Sequence, residues 1–316
     1  PVTAVGASAP GKALLCGEYA VLVGAPDVVA AVDRRVSVEW SDAPHELPPE
    51  VEATLTLART QWGTTPGHIR LDVSELHRGG TKLGLGSSAA AAVAAAGAVF
   101  AAQGHELRDA ASRSAVFDCA FRGHAAVAPE GSGVDVAASA FGGFLRYARE
   151  GDAVEARALG APPDLSIALV WTGHAARTSD LVAKVHELRQ RSPRVYAERM
   201  GRLAELSTAF AAAFEEGDAP ESVRAAGAYG EAMGALGESA GAPIVESRLA
   251  LASELAARFS GSAKPCGAGG GDVAIAFFGE PVAAQSFELA CSGEGLHPID
   301  VAWGPEGVRA SDGSAR

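Results

Sequence analysis

The segment Thr81-Lys82-Leu83-Gly84-Leu85-Gly86-Ser87-Ser88-Ala89-Ala90 has the clearest chemical sense in this 316-residue chain. Its glycines remove side chains where a backbone must come close to an anion. The alanine-rich stretch that follows has strong helical propensity. A helix starting there aims free N–H groups and the positive end of its dipole at that anion. Ser87 and Ser88 offer hydroxyls that can cap the helix or bind magnesium. The Gly-Lys-Ser/Thr ending of a Walker A loop is missing. A capped helix after a glycine turn explains the local pattern about as well as a phosphate cradle does.

Three further places carry chemistry. Pro10-Gly11-Lys12-Ala13-Leu14-Leu15-Cys16-Gly17-Glu18-Tyr19-Ala20 puts a lysine at the entry to an apolar strand, with Glu18 and Tyr19 beyond a glycine. Its plainer reading is a strand-start lysine that stays in water. Lys264-Pro265-Cys266-Gly267-Ala268-Gly269-Gly270-Gly271-Asp272 precedes a fully apolar strand, and a permissive loop is its plainer reading. Ser132-x-x-Asp135 stands before an apolar run, which fits a helix capping box worth roughly 1 kcal/mol. The same carboxylate could serve catalysis, because a helix start keeps it ionised. Only four of the 26 basic residues are lysines, and Lys12, Lys82 and Lys264 all lie in or beside these segments. Where arginine fills generic positions, a retained lysine marks a place that wants a compact ammonium.

Stepping outward, residues 2–8, 13–16, 28–40 (broken around Asp33), 68–73 and 144–147 read as strands, and 88–103 and 107–122 as helices. Gly160, Pro162 and Pro163 make residues 158–164 the expected domain boundary. Beyond it come a strand over 165–171, helices over 179–190, 194–216, 220–236 and 243–259, the glycine loop, a buried strand over 273–278, a helix over 282–291 and a strand over 297–303. A frayed tail is expected after Pro305. This order suggests an α+β fold.

The formal charge of −12 argues against nucleic acid and anionic membranes as partners. Residues 89–102 form too short and alanine-rich a run to span a bilayer, and no signal-peptide pattern opens the chain. Four scattered cysteines read as reduced thiols in a cytoplasmic protein. The eight histidines show no ligand spacing, which argues against a zinc or iron site.

In their order along the chain, the three glycine-containing segments resemble the GHMP kinase family, named for galactose, homoserine, mevalonate and phosphomevalonate kinases. The match runs from near the start to about residue 278, and GLGSSAA is its most specific part. Gly131-Ser132-Gly133-Val134-Asp135-Val136-Ala137-Ala138-Ser139, the GAGGGD core of the third loop, and Trp171-Thr172-Gly173 leading to Thr178-Ser179-Asp180-Leu181 look most like the phosphomevalonate kinase branch.

The resemblance implies a two-domain fold. Residues 1–160 would be an ATP-binding domain with a left-handed βαβ-type unit, and residues 161–316 a ferredoxin-like domain whose glycine loop closes against the phosphates. It implies ATP and Mg2+ as cofactors and mevalonate 5-phosphate, or mevalonate, as the small anionic partner of a monomer or homodimer. Catalysis would fall to Lys12 and Asp135, with Lys12 keeping Asp135 ionised. ATP binding would fall to Lys82, Gly84, Leu85, Gly86, Ser87, Ser88 and Ala89, with Ser88 on the metal. Substrate contacts would come from Glu18, Tyr19, Ser132, Gly133, Ser179, Gly267 and Gly269. Arg146, Arg177 and Lys82 are candidates, by position alone, for gripping the substrate anion. The alternatives are mevalonate kinase, another GHMP small-molecule kinase, or a non-catalytic GHMP-fold metabolite sensor. The presence of both Lys12 and Asp135 argues against the sensor, and Lys12 against the related diphosphomevalonate decarboxylases.

Overall fold

The computed structural model describes residues 5–65, 67–151, 153–175 and 178–311. In chain order, the elements begin with β1 (Ala7–Cys16), β2 (Asp27–Ser41), α1 (Pro49–Trp62), β3 (His68–Asp72), β4 (His77–Arg78) and β5 (Thr81–Lys82). Then follow α2 (Ser87–Ala102), α3 (Ala110–Ala125), α4 (Val134–Phe141), β6 (Phe144–Glu150), β7 (Ala153–Leu159) and β8 (Ser166–Trp171). The rest are α5 (Thr178–Arg191), α6 (Pro193–Glu216), α7 (Ala219–Ala240), α8 (Ser247–Arg258), β9 (Ser262–Pro265), β10 (Val273–Phe278), α9 (Pro281–Gly293), β11 (His297–Ile299) and β12 (Arg309–Ala310).

The chain forms two compact units, each built from separate stretches: residues 1–12, 30–143 and 302–316 in the first, and 13–29 and 144–301 in the second. The stretch 158–164 joins β7 to β8 inside the second unit.

In the first unit β12 pairs antiparallel with β1, and β3 with β2 in a register running from Ser37 opposite Asp72 to Ser41 opposite His68. Helices α1, α3 and α4 pack around α2. All residues of α2 from Ala89 to Phe100 are buried. Alanine explains both facts: it has the best helix propensity, and its small side chain lets neighbours approach on every side.

The first unit departs from the sequence expectations in several places, one being that β2 runs unbroken through Asp33. Strand β1 runs unbroken through Pro10, Gly11 and Lys12, and the Lys12 N–H is satisfied by the Leu85 carbonyl at 2.9 Å. Helix α1 occupies a stretch where no element was expected, although Pro49 at its start, Glu50 and Glu52 in its first turn, and buried Val51, Leu55 and Ala58 are standard helix signals. The segment after Pro305 is folded through residue 311. The buried Arg35 guanidinium donates to the carbonyls of Glu306 (3.1 Å) and Gly307 (2.7 Å), and Val308 is fully buried. Burial lowers the Arg35 pKa to about 10.

In the second unit the order β8-helices-β9-β10-α9-β11 is a β-α-β-β-α-β unit, with α5 to α8 filling the first crossover. Its antiparallel sheet has the order β11-β8-β10-β9, the ferredoxin-like arrangement. Strand β10 reads as a continuous apolar run because both its faces are covered. Ala274, Ala276 and Phe278 join the core with Leu249, Leu255 and Phe287, while Phe277 meets Phe210 of α6 edge-on at 5.6 Å. Among the described residues no helix is long and apolar enough to cross a membrane. The fold is α+β.

Candidate active site

Strand β1 delivers Lys12 to the glycine loop. Gly86 adopts φ 77°, and a Cβ there would lie 2.9 Å from Lys12 Cγ and 3.0 Å from its Cε. The lysine stem therefore packs directly on the loop backbone, and only glycine permits both the left-handed turn and this approach. The ammonium of Lys12 lies 3.3 Å from Asp135 Oδ1. The lysine side chain is 6% exposed and the aspartate 38%, so the pair is sealed on one side and open on the other.

Asp135 is the second residue of α4, where the helix dipole favours a carboxylate. The expected capping box does not form. The helix starts at Val134 with Gly133 as its cap (φ 87°), one residue later than the box requires, so Asp135 is too early to reach back. Ser132 Oγ instead accepts from the Val134 N–H at 3.4 Å.

Helix α2 is also capped by a left-handed glycine, Gly86, with no side-chain hydrogen bond, so neither serine caps it. Its leading N–H groups lack acceptors within the helix, as at every helix start. Ser87 is buried; Ser88 is partly exposed, and its hydroxyl lies 3.5 Å from Nε2 of His124 in α3. His124 carries no signal in the sequence, because only the packing of α3 against α2 brings it there. Leu85 is buried, and Ala89 begins the buried run of α2. Lys82 projects from the β4–β5 hairpin with an exposed side chain.

In the second unit Glu18 and Lys264 form a fully buried ion pair. Glu18 Oε1 also accepts from the Gly267 N–H at 3.2 Å, and Lys264 donates to the Pro265 carbonyl at 2.8 Å. The Tyr19 hydroxyl donates to the Ala268 carbonyl at 2.6 Å, and the Tyr229 hydroxyl to the Glu18 carbonyl at 2.5 Å. Burial, with Glu18 second, raises the Tyr19 phenol above its ordinary pKa. Gly269 (φ 84°) passes so close to the Ile244 carbonyl that a Cβ would come within 2.1 Å of it.

The structure thus brings Lys12, Asp135, Ser132, Gly133 and residues 84–89 into the first unit, and Glu18, Tyr19, Gly267, Gly269 and Ser179 into the second. Ser179 lies exposed in the first turn of α5. Arg146 faces Glu155 across the β6–β7 hairpin at 3.8 Å. Arg177 falls outside the described residues. Among the described residues no group of three or more His, Cys, Asp or Glu could hold a metal ion.

Residues 51–143 match the GHMP kinases N terminal domain family. A phosphomevalonate kinase of Streptomyces sp. (strain CL190) is 30% identical over 85% of this chain and 88% of its own. A mevalonate kinase of Thermococcus sibiricus is also 30% identical, over 63% of this chain and 67% of its own. Among solved structures, Streptococcus pneumoniae phosphomevalonate kinase in complex with phosphomevalonate and AMPPNP superposes with a TM-score of 0.80 at 18% identity, covering 94% of this chain and 99% of that one. The chain belongs to the GHMP kinase family. It is a phosphotransferase, and its relatives include kinases of both mevalonate and phosphomevalonate.

Proposed function

We propose that the protein transfers the terminal phosphoryl group of ATP to the phosphate of mevalonate 5-phosphate, giving mevalonate 5-diphosphate and ADP. The observation that carries the transfer site is the Lys12–Asp135 pair, packed on the glycine loop at the start of α2 and open on its carboxylate side. The choice of acceptor is supported by the likeness to the Streptomyces phosphomevalonate kinase, which spans more of both chains than the likeness to the Thermococcus mevalonate kinase.

Residues 84–89 would cradle the phosphates of ATP with backbone N–H groups and the dipole of α2. Magnesium fits the residues present. It keeps several waters and takes most other ligands from substrate phosphates, so a partly exposed hydroxyl such as Ser88 suffices without a carboxylate cluster. When bound, it would neutralise charge on the phosphate oxygens.

An oxygen of the acceptor phosphate attacks the γ-phosphorus as the bond to the β–γ bridging oxygen breaks, and ADP leaves with that electron pair. Phosphoryl transfer depends mostly on positioning and charge neutralisation, which Lys12 would supply at the transferring oxygens. A phosphate monoester has its second pKa near ~6 and arrives largely deprotonated, so proton removal by Asp135 matters less. Asp135 would hold Lys12 and orient the acceptor. Ser132, Gly133 and Ser179, with the backbone at Gly267 and Gly269, are the proposed substrate contacts. Lys82 stays a proposed ATP contact.

ADP release with magnesium and ATP, compared for mevalonate 5-phosphate, mevalonate and no acceptor, tests the reading. Turnover confined to the phosphorylated acceptor is expected. Turnover with mevalonate alone would assign the site to mevalonate instead.

A further inference from the structure

The third glycine loop is held from beneath by buried groups. Glu18 Oε1 accepts from Lys264 and from the Gly267 amide, and the Tyr19 hydroxyl holds the Ala268 carbonyl. Tyr229 fixes Glu18 in turn by donating to its carbonyl, and the Lys264 ammonium lies 5.8 Å from the Tyr229 ring centroid. Tyr19 itself takes φ 64°, a left-handed conformation that a tyrosine adopts only where its surroundings enforce it. At the far end of the loop, the Gly270 N–H donates to the Ile244 carbonyl at 2.9 Å, and the Asp272 N–H to the His174 carbonyl at 2.7 Å. Glu18, Tyr19 and Lys264 are all buried, and Glu18 Oε1, the Tyr19 hydroxyl and the Lys264 ammonium are engaged within the second unit, while Glu18 Oε2 has no hydrogen-bond partner among the described residues.

We propose that Glu18 and Tyr19, with Lys264, are positioning residues that preset the glycine loop at residues 267–271, rather than contacts to the acceptor. A loop with so many glycines loses much backbone entropy when it orders around an anion. Two side-chain anchors at its entry and two backbone anchors near its exit remove most of that cost before ligand arrives, which is preorganisation. Lysine suits the inner position because its compact ammonium reaches both Glu18 and the Pro265 carbonyl inside a sealed pocket. The proposal rests on the phosphoryl-transfer reading only for what the loop binds; the latch itself is measurable without turnover.

The test is amide hydrogen exchange across residues 267–271 in Tyr19→Phe and Glu18→Gln, alongside steady-state ADP release. Tyr19→Phe keeps the ring in the core and removes only the bond to Ala268. Expected are exchange in the loop at least tenfold faster, little change in melting temperature, and a kcat about tenfold lower with a smaller change in acceptor KM. Glu18→Gln should speed exchange at Gly267 in the same way. Lys264→Met combined with Glu18→Gln should cost kcat no more than the worse single change, since both act through one latch. Unchanged loop exchange together with a raised acceptor KM in Tyr19→Phe would overturn the proposal and make Tyr19 a direct contact. If no acceptor is turned over, the exchange measurement still decides the latch, and only the function assigned to the site fails.

Discussion

Two lysine–carboxylate pairs, built from two of the chain's four lysines, stand in opposite environments. In the first unit Lys12 is nearly buried while Asp135 is 38% exposed, at 3.3 Å. In the second, Lys264 and Glu18 are 0% and 2% exposed. The difference separates the pair proposed to act on phosphate from one that holds structure. A sealed pair is cut off from water: its desolvation is offset only by the partner and by extra hydrogen bonds, here from Gly267 and to Pro265. A pair open on one side keeps its carboxylate exposed beside a nearly buried ammonium, close to a helix start that itself favours anions.

The largest effect is expected at Lys12. Lys12→Met keeps the stem packed on Gly86 and removes the charge. Its kcat/KM in ADP release should fall on the order of 10³-fold, the scale of losing one preorganised charge partner, with thermal stability little changed. Lys264→Met should act chiefly on stability. It leaves Glu18 as an uncompensated buried charge and should cost about 3–5 kcal/mol in urea unfolding. Replacing both Lys264 and Glu18 by apolar residues should restore much of that stability, and failure to recover would mean that the pair is worth more than its desolvation.

Smaller effects sharpen the picture. Gly86→Ala meets both a left-handed φ and the Lys12 stem, so a loss of roughly 1–3 kcal/mol of stability is expected in the same unfolding assay. Ser88→Ala should raise the magnesium concentration giving half-maximal rate by roughly tenfold. The least effect concerns the buried thiols. Burial raises Cys119 to about 11 and Cys291 to about 12 from an ordinary 9.0. Because the folded state holds these protons more tightly, their contribution is complete below pH 9 and is lost as pH rises from there through 11 to 12. Melting curves between pH 8 and 11 should show this gradual alkaline loss, whereas a thiol that titrates freely in the folded state would contribute no such slope.

Much of this was legible in the sequence where the signal is local. The Gly84–Ala89 loop, the alanine helix and the apolar β10 each declare themselves through spacing or composition, and α1 carried ordinary helix signals that its flanking prolines obscured. What is not local stayed hidden. Glu18 and Lys264 lie 246 residues apart, so no window of sequence shows that they neutralise each other. His124 reaches Ser88 only through helix packing, and the segment after Pro305 is ordered by Arg35, about 270 residues earlier in the chain. The capping reading of Ser132 and Asp135 failed by one residue, because a left-handed Gly133 took the cap position.

Lys12, on the open pair, is proposed to carry the phosphoryl transfer. The most direct measurement compares Lys12→Met and Asp135→Asn with the parent in ADP release driven by mevalonate 5-phosphate. Lys12→Met is expected to be the more damaging change, since a phosphate-monoester acceptor would arrive largely deprotonated. Parent-like turnover in Lys12→Met would contradict it.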